Sequence, residues 1–200
     1  MRTVKFTSVF AALFMAAFTA FATNGVNETY TADVKKSEIK WHGKKVTGEH
    51  NGTIQLQDGD IMVENGKLTG GKFAINMGTI SNDDITDADS KAKLEGHLKS
   101  DDFFGVEKHP KATFVITSVT PKSGAEYTVK GDITIKGKTQ SIEFPATVAV
   151  KGKEVHANAK IVVDRSKFDV RYGSGSFFDG LGDKMIYDDF TLDISLVATK

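Results

Sequence analysis

The sequence predicts an all-β domain of about eight antiparallel strands, closed as a barrel or stacked as two sheets, with one helical excursion. Three observations carry this. Apolar and polar residues alternate with period two over several long segments, the pattern of strands with one buried and one wet face. Turn-favouring dipeptides recur between those segments: Asp58-Gly59, Asn65-Gly66, Ser123-Gly124, Lys136-Gly137 and Lys151-Gly152. Only one stretch reads as a convincing helix.

The first 22 residues stand apart from that pattern. Arg2 and Lys5 give a basic start, Val9–Phe18 is wholly apolar, and Ala20-Phe21-Ala22 sets small residues around a large one. This is the layout of a cleavable secretory signal, with an apolar core too short for an ordinary membrane span. Cleavage after Ala22 leaves one domain over 23–200, without linker, low-complexity tract or internal repeat.

The elements of that domain follow in order. Ser37–Lys45 predicts a strand that turns Ile39 and Trp41 inward and His42 outward with Lys40 and Lys44. Asn51-Gly52 is expected to form a hairpin turn. Phe73, Ile75 and Met77 mark one face of a short strand. Asp87 and Asp89 can cap a helix over about 87–100, with Leu94 and Leu98 on one side. Tyr127, Val129, Gly131, Ile133 and Ile135 alternate with Thr128, Lys130, Asp132, Thr134 and Lys136. Val155–Val163 and Phe190–Thr199 repeat the pattern, and a short helical turn is expected at about 176–181. Lys130, Asp132 and Lys136 on the polar faces are costly against lipid, which argues against an outer-membrane barrel.

Composition excludes several functions. Twenty-six Lys and Arg balance 26 Asp and Glu, so no electrostatic footprint for nucleic acid or an anionic surface exists. The absence of cysteine removes disulfides, thiolate metal sites and thiol nucleophiles, and suits a bacterial envelope better than a eukaryotic extracellular space. The five histidines (42, 50, 97, 109, 156) lack paired metal-ligand spacing. There is no nucleophile elbow or phosphate-binding glycine loop, and Asp83, Asp84 and Asp89 lack the regular calcium-loop pattern. An enzyme finds little support, and no cofactor is expected.

Three blocks resemble the YceI-like family of exported lipocalin-like proteins. They are Gly96-His97-Leu98-Lys99-Ser100-Asp101-Asp102-Phe103-Phe104 running on to His109–Phe114, Gly131–Thr139 followed by Phe144-Pro145, and Asp164-Arg165-Ser166-Lys167-Phe168. Departures are Glu95-Gly96 where members often carry Arg-Asp, Asp169 in place of a Gly, and an insert over 172–183 found in only a subset. The resemblance implies an elongated eight-stranded antiparallel barrel around an apolar tunnel that binds a polyisoprenoid or another long amphiphilic lipid. It also implies a periplasmic protein without stable membrane insertion, and makes a homodimer a possible assembly.

On that basis the candidate wall residues are Trp41, Phe73, Phe114, Phe144 and Phe168, with the pairs Phe103-Phe104 and Phe177-Phe178 as lid or lining. Neighbours in a strand point opposite ways, so an adjacent pair suits a loop that plugs an opening. His50, His97, Lys99 and Arg165 are the candidates for a polar head group. The competing reading of His97 and Lys99 is plain helix C-terminal charge, and that of Arg165, between Asp164 and Ser166, is a salt bridge that fixes its loop. The competing reading is a structural envelope module whose inward side chains fill the interior. Interior volume separates the two.

Overall fold

The computed structural model describes residues 26–200, so the secretory signal expected at 1–22 lies outside the described residues. The strands are β1 (Asn27–Ala32), β2 (Glu38–Lys45), β3 (Gly48–Glu64), β4 (Lys67–Asn82), β5 (Lys111–Pro121), β6 (Glu126–Ile135), β7 (Lys138–Lys151), β8 (Glu154–Asp164) and β9 (Ile186–Thr199). One helix, α1 (Ala88–Lys99), interrupts them between β4 and β5. All strand pairings between these elements are antiparallel, and a β3–β4 pairing closes the sheet on itself. β1 and β2 share one place in the ring: β2 pairs with Gly48–Ile54 of β3, and β1 with Asp60–Glu64 of the same strand. The result is an eight-stranded closed barrel, which leaves no long edge.

Sequence chemistry accounts for the connections. Asn65-Gly66 and Lys136-Gly137 both adopt positive φ at two successive residues, the geometry that two-residue hairpins need to match strand twist. Asp87 caps α1 by accepting from the Ser90 N–H at 2.8 Å, and the Ser100 N–H closes its far end on Gly96 and His97. Two expected turns are corrected. Asn51-Gly52 and Asp58-Gly59 both lie within the 17-residue β3. A Cβ on Gly52 would sit 1.8 Å from the Ser81 carbonyl oxygen, so this glycine serves a close approach of β3 to β4 rather than a reversal. At Asp58 the register against β4 shifts, marking a bulge. The short turn expected near 176–181 falls mainly at Gly182–Lys184, after a hydrogen-bonded turn in which Phe177 and Phe178 donate to the Ser174 carbonyl.

Inward faces are apolar and outward faces charged, as Lys40–Glu38, Lys72–Asp60 and Lys160–Asp193 illustrate. That is the reverse of a membrane barrel. Among the described residues no helix is long and apolar enough to cross a membrane. The two ends of the barrel differ. One receives the tight turns β3–β4, β5–β6 and β7–β8, and is packed solid by Tyr30, Val63, Val155 and Ala198. The other receives α1, the long 165–185 connection and the β2–β3 and β6–β7 hairpins.

Candidate ligand cavity

The barrel is hollow. A cavity of about 290 Å³ lies inside it, lined almost wholly by apolar side chains from the inward faces. Phe190, Leu192 and Ile194 belong to the inward face of β9, yet they remain only partly buried because they border this space. The wall is thin where β7 and β8 carry Ala146, Ala157 and Ala159 side by side. Gly43–Lys45, Gly48–His50, Leu94, Leu98, Ile186 and Tyr187 also border the cavity. They place its mouth between the β2–β3 hairpin, α1 and the start of β9.

Of the residues singled out from sequence, Trp41, Phe73, Phe103, Phe104, Phe114 and Phe144 line the cavity. Trp41 donates its indole N–H to the Ser81 carbonyl at 3.0 Å, which fixes the ring across the gap that Gly52 leaves. Phe114 and Phe144 meet at a tilt of 45°, 5.5 Å between centroids, and Phe114 rests on Gly131, where a Cβ would meet the ring at 2.5 Å. Phe103 and Phe104 come from the loop after α1. Phe103 is buried against His97 and Tyr172, while Phe104 approaches Phe190 edge-on. Phe168, Phe177 and Phe178 are not in the wall. Phe168 is fully buried in a 3-10 turn (Arg165–Phe168), outside the cavity lining. Phe177 and Phe178 are 39% and 50% exposed, and Phe177 lies under the Arg171 guanidinium at 5.0 Å.

The four polar candidates separate as well. Arg165 borders the cavity but is only 4% exposed, and its donors face the chain. Nη1 donates to the Val170 carbonyl at 2.8 Å, Nη2 to Ile186 at 3.0 Å and Nε to Tyr187 at 3.2 Å. Its ionic partner is Asp188, 3.3 Å away, while Asp164 caps the 3-10 turn through Ser166. Because Nη2 is directed at Ile186, the Asp188 contact is ionic rather than a well-aligned hydrogen bond. Burial lowers the guanidinium from its ordinary pKa, opposed by Asp188 and Asp164. Burial also pushes the Asp188 carboxyl up, but the Ser174 and Ser176 hydroxyls and the Arg165 charge bring it below the usual carboxylate value. Arg165 is therefore a clasp that joins the 165–185 connection to β9 at the mouth.

His50 also borders the cavity. Its Nδ1 lies 2.8 Å from Asp84 Oδ2, while Asp84 Oδ1 accepts from the Asn51 N–H at 2.9 Å and from Asn82 Nδ2 at 2.6 Å. Asn82 is completely buried and also accepts from the Ile85 N–H. Burial pushes the Asp84 carboxyl up, yet these hydrogen bonds and the neighbouring imidazole hold it down to about 2. His97 and Lys99 lie in the last turn of α1, away from the cavity wall. His97 meets the Tyr172 ring edge-on at 4.4 Å and pairs with Asp102 at 3.5 Å. Among the described residues no three His, Asp or Glu side chains gather to hold a metal ion.

Alternation revealed much of the apolar wall, including Ile133 and Ile194. The mouth residues Gly43–Lys45, Leu94 and Tyr187 escaped it, because they come together only when loops and helix assemble. The hydrogen bond between His50 and Asp84, 34 positions apart, has no local signal at all.

This architecture recurs in solved proteins. BcnA of Burkholderia cenocepacia is 25% identical with a TM-score of 0.68, over 84% of this chain and 99% of that one. A polyisoprenoid-binding domain from Saccharophagus degradans superposes with a TM-score of 0.62 over 85% and 97% at 12% identity, a likeness of fold alone. A UPF0312 protein of Shewanella denitrificans is 32% identical over 97 residues, 48% of each chain. The chain thus spans about half the length of the curated relatives it matches. The YceI-like domain model matches residues 30–198, from Tyr30 at the plugged end through Ala198 in the last strand, and the chain belongs to the YceI-like family.

Proposed function

We propose that this protein is a non-enzymatic carrier or sequestering protein, holding a polyisoprenoid or similar long-chain lipid in its barrel. The observation that carries the reading is the apolar cavity, plugged at one end and open at the other between the β2–β3 hairpin and α1. Each methylene moved from water into such a space contributes about 0.8 kcal/mol of gross driving force. Net affinity is far smaller, since ordering the chain and withdrawing it from a membrane both cost free energy. A wall of Phe, Ile, Leu and Val discriminates poorly between chains of similar girth, so a range of ligands is expected. The hollow interior favours this reading over a filled structural module. The basic, apolar and small-residue segments before Thr23 support export to the periplasm.

Native mass spectrometry on protein purified from its own host, followed by solvent extraction, tests the carrier role. A bound lipid mass that extraction removes is the expected result. A homogeneous ligand-free mass, with no uptake of polyprenols, quinones or fatty amides on reconstitution, defeats it. Cell fractionation tests location, the expected form being periplasmic and beginning at Thr23.

A further inference from the structure

We propose that His50 is the polar anchor of the cavity, accepting a hydrogen bond from an O–H at the end of a long-chain alcohol, phenol or hydroquinone. This rests on the lipid-binding reading above and names the chemistry of the ligand's polar end.

The placement comes from strand parity. His50 shares the inward side of β3 with Gly52, Ile54 and Leu56, and it borders the cavity at the mouth. Its cross-strand partner on β2 is Gly43, where an added Cβ would meet nothing within 4 Å. The two nearest inward positions, Gly43 and Gly52, therefore carry no side chain to cover the imidazole. Of the charges at the rim, Lys45 also borders the cavity, but its ammonium can only donate and so does not accept a hydroxyl hydrogen. Lys44 and Glu49 pair with each other at 3.5 Å, and Glu49 also meets His42. Arg165 spends its donors on three carbonyls.

The orientation comes from the groups behind it. Asp84 is a fixed acceptor, held by the Asn51 N–H and by the buried Asn82 amide. A carboxylate can only accept, so the hydrogen between it and the ring resides on Nδ1. In the neutral imidazole, Nε2 then keeps a lone pair and no hydrogen. A hydroxyl satisfies that atom, whereas an ether or a quinone carbonyl offers it nothing to accept. The chain Asn82, Asp84, His50 thus sets a tautomer, in the way an outer carboxylate orients a liganding histidine.

The test is titration of the purified protein at alkaline pH, where an imidazole is neutral, with geranylgeraniol and with its methyl ether. Trp41, the single tryptophan, reports occupancy by fluorescence. The intact protein is expected to bind the alcohol several-fold to roughly tenfold more tightly than the ether, the scale of one hydrogen bond. His50→Leu should abolish that gap while leaving ether affinity in place, and Asp84→Asn should narrow it. Thermal melts of both variants confirm that they fold. Equal affinity for the two probes in the intact protein overturns the anchor and leaves the cavity reading standing. A gap that survives in His50→Leu overturns it as well, as does an equal loss for both probes, which marks a structural role. Binding of neither probe by the intact protein overturns the cavity reading and this inference with it.

Discussion

Substitution of Ala159 by Phe separates a hollow barrel from a filled one by the sign of a stability change. Ala159 faces inward on β8, opposite Ile194 on β9 and Ala146 on β7, and all three border the cavity. A phenyl ring at this position projects into existing space. Burying such a side chain stabilises by roughly 1.5–3 kcal/mol, less a few tenths for its lost rotamers. In a chain of this size each kcal/mol moves Tm by about 2–4 °C, so ligand-free Ala159→Phe should melt roughly 3–10 °C higher. In a well-packed core the same ring costs about 1–3 kcal/mol through overpacking, and Tm falls by a comparable amount. The assay is calorimetry on delipidated protein, paired with the lipid stoichiometry after reconstitution. Stoichiometry should drop because ring and ligand compete for one volume. A lowered Tm with unchanged lipid loading refutes the argument that the three alanines hollow out a binding space.

Three further outcomes follow from the geometry. Arg165→Met strips a buried, ion-paired cation from three carbonyls and leaves Asp188 unpaired, so a loss of about 3–5 kcal/mol is expected by chemical denaturation; Arg165→Lys, which cannot fork to three acceptors, should fall between the two. Asp84 titrates at about 2 in the folded protein against an ordinary 3.8, so the stability it supplies is present above pH ~4 and lost as pH falls toward ~2; since solvent reaches this side chain, about 1 kcal/mol is expected, and Asp84→Asn should show a shallower acid limb in Tm against pH. Gly52→Ala drives a methyl to within 1.8 Å of the Ser81 oxygen and 2.8 Å of the Trp41 ring; a loss of roughly 2–4 kcal/mol with a red-shifted Trp41 emission is expected, and an unshifted spectrum at wild-type stability contradicts the close approach.

What could be read from the sequence followed from which forces are local. The faces of β6, β8 and β9 were legible because burial in a strand imposes strict alternation, and Tyr127–Ile135 obeys it without a break. The helix was legible because Asp87 offers capping chemistry at its start and Leu94 and Leu98 recur at helical spacing. Asn51-Gly52 and Asp58-Gly59 misled because glycine satisfies two different demands, a reversal with positive φ and a close backbone approach, and composition does not distinguish them. Lys136-Gly137 answers the first demand, Gly52 the second. Arg165 was recognisable as a loop fastener, but its partner Asp188 lies 23 positions on and is reached only when the 165–185 connection folds back. The emptiness of the interior was least legible, since alternation constrains polarity and leaves volume free. Ala157 and Ala159 read as ordinary small inward residues until their neighbour Ala146 stands beside them.

The unequal ends of the barrel make one physical device of these parts. The tight-turn end uses Tyr30, Val63, Val155 and Ala198 to reach core-like packing, so it supplies stability and closes the tunnel. The opposite end cannot pack in that way and stay open. There the backbone is held instead by directional polar contacts: the Arg165 clasp on one side, and the Asn82, Asp84 and His50 chain on the other. Such contacts fix geometry without filling volume, which apolar side chains cannot do. Each also leaves the cavity wall apolar except at its rim, because the clasp aims its donors at carbonyls and the acidic chain hides its carboxylate behind an imidazole. A mouth built from such contacts over an unfilled interior suits entry of a long chain at one end only, with His50 as the proposed acceptor for that chain's polar terminus and Lys45 beside it at the rim.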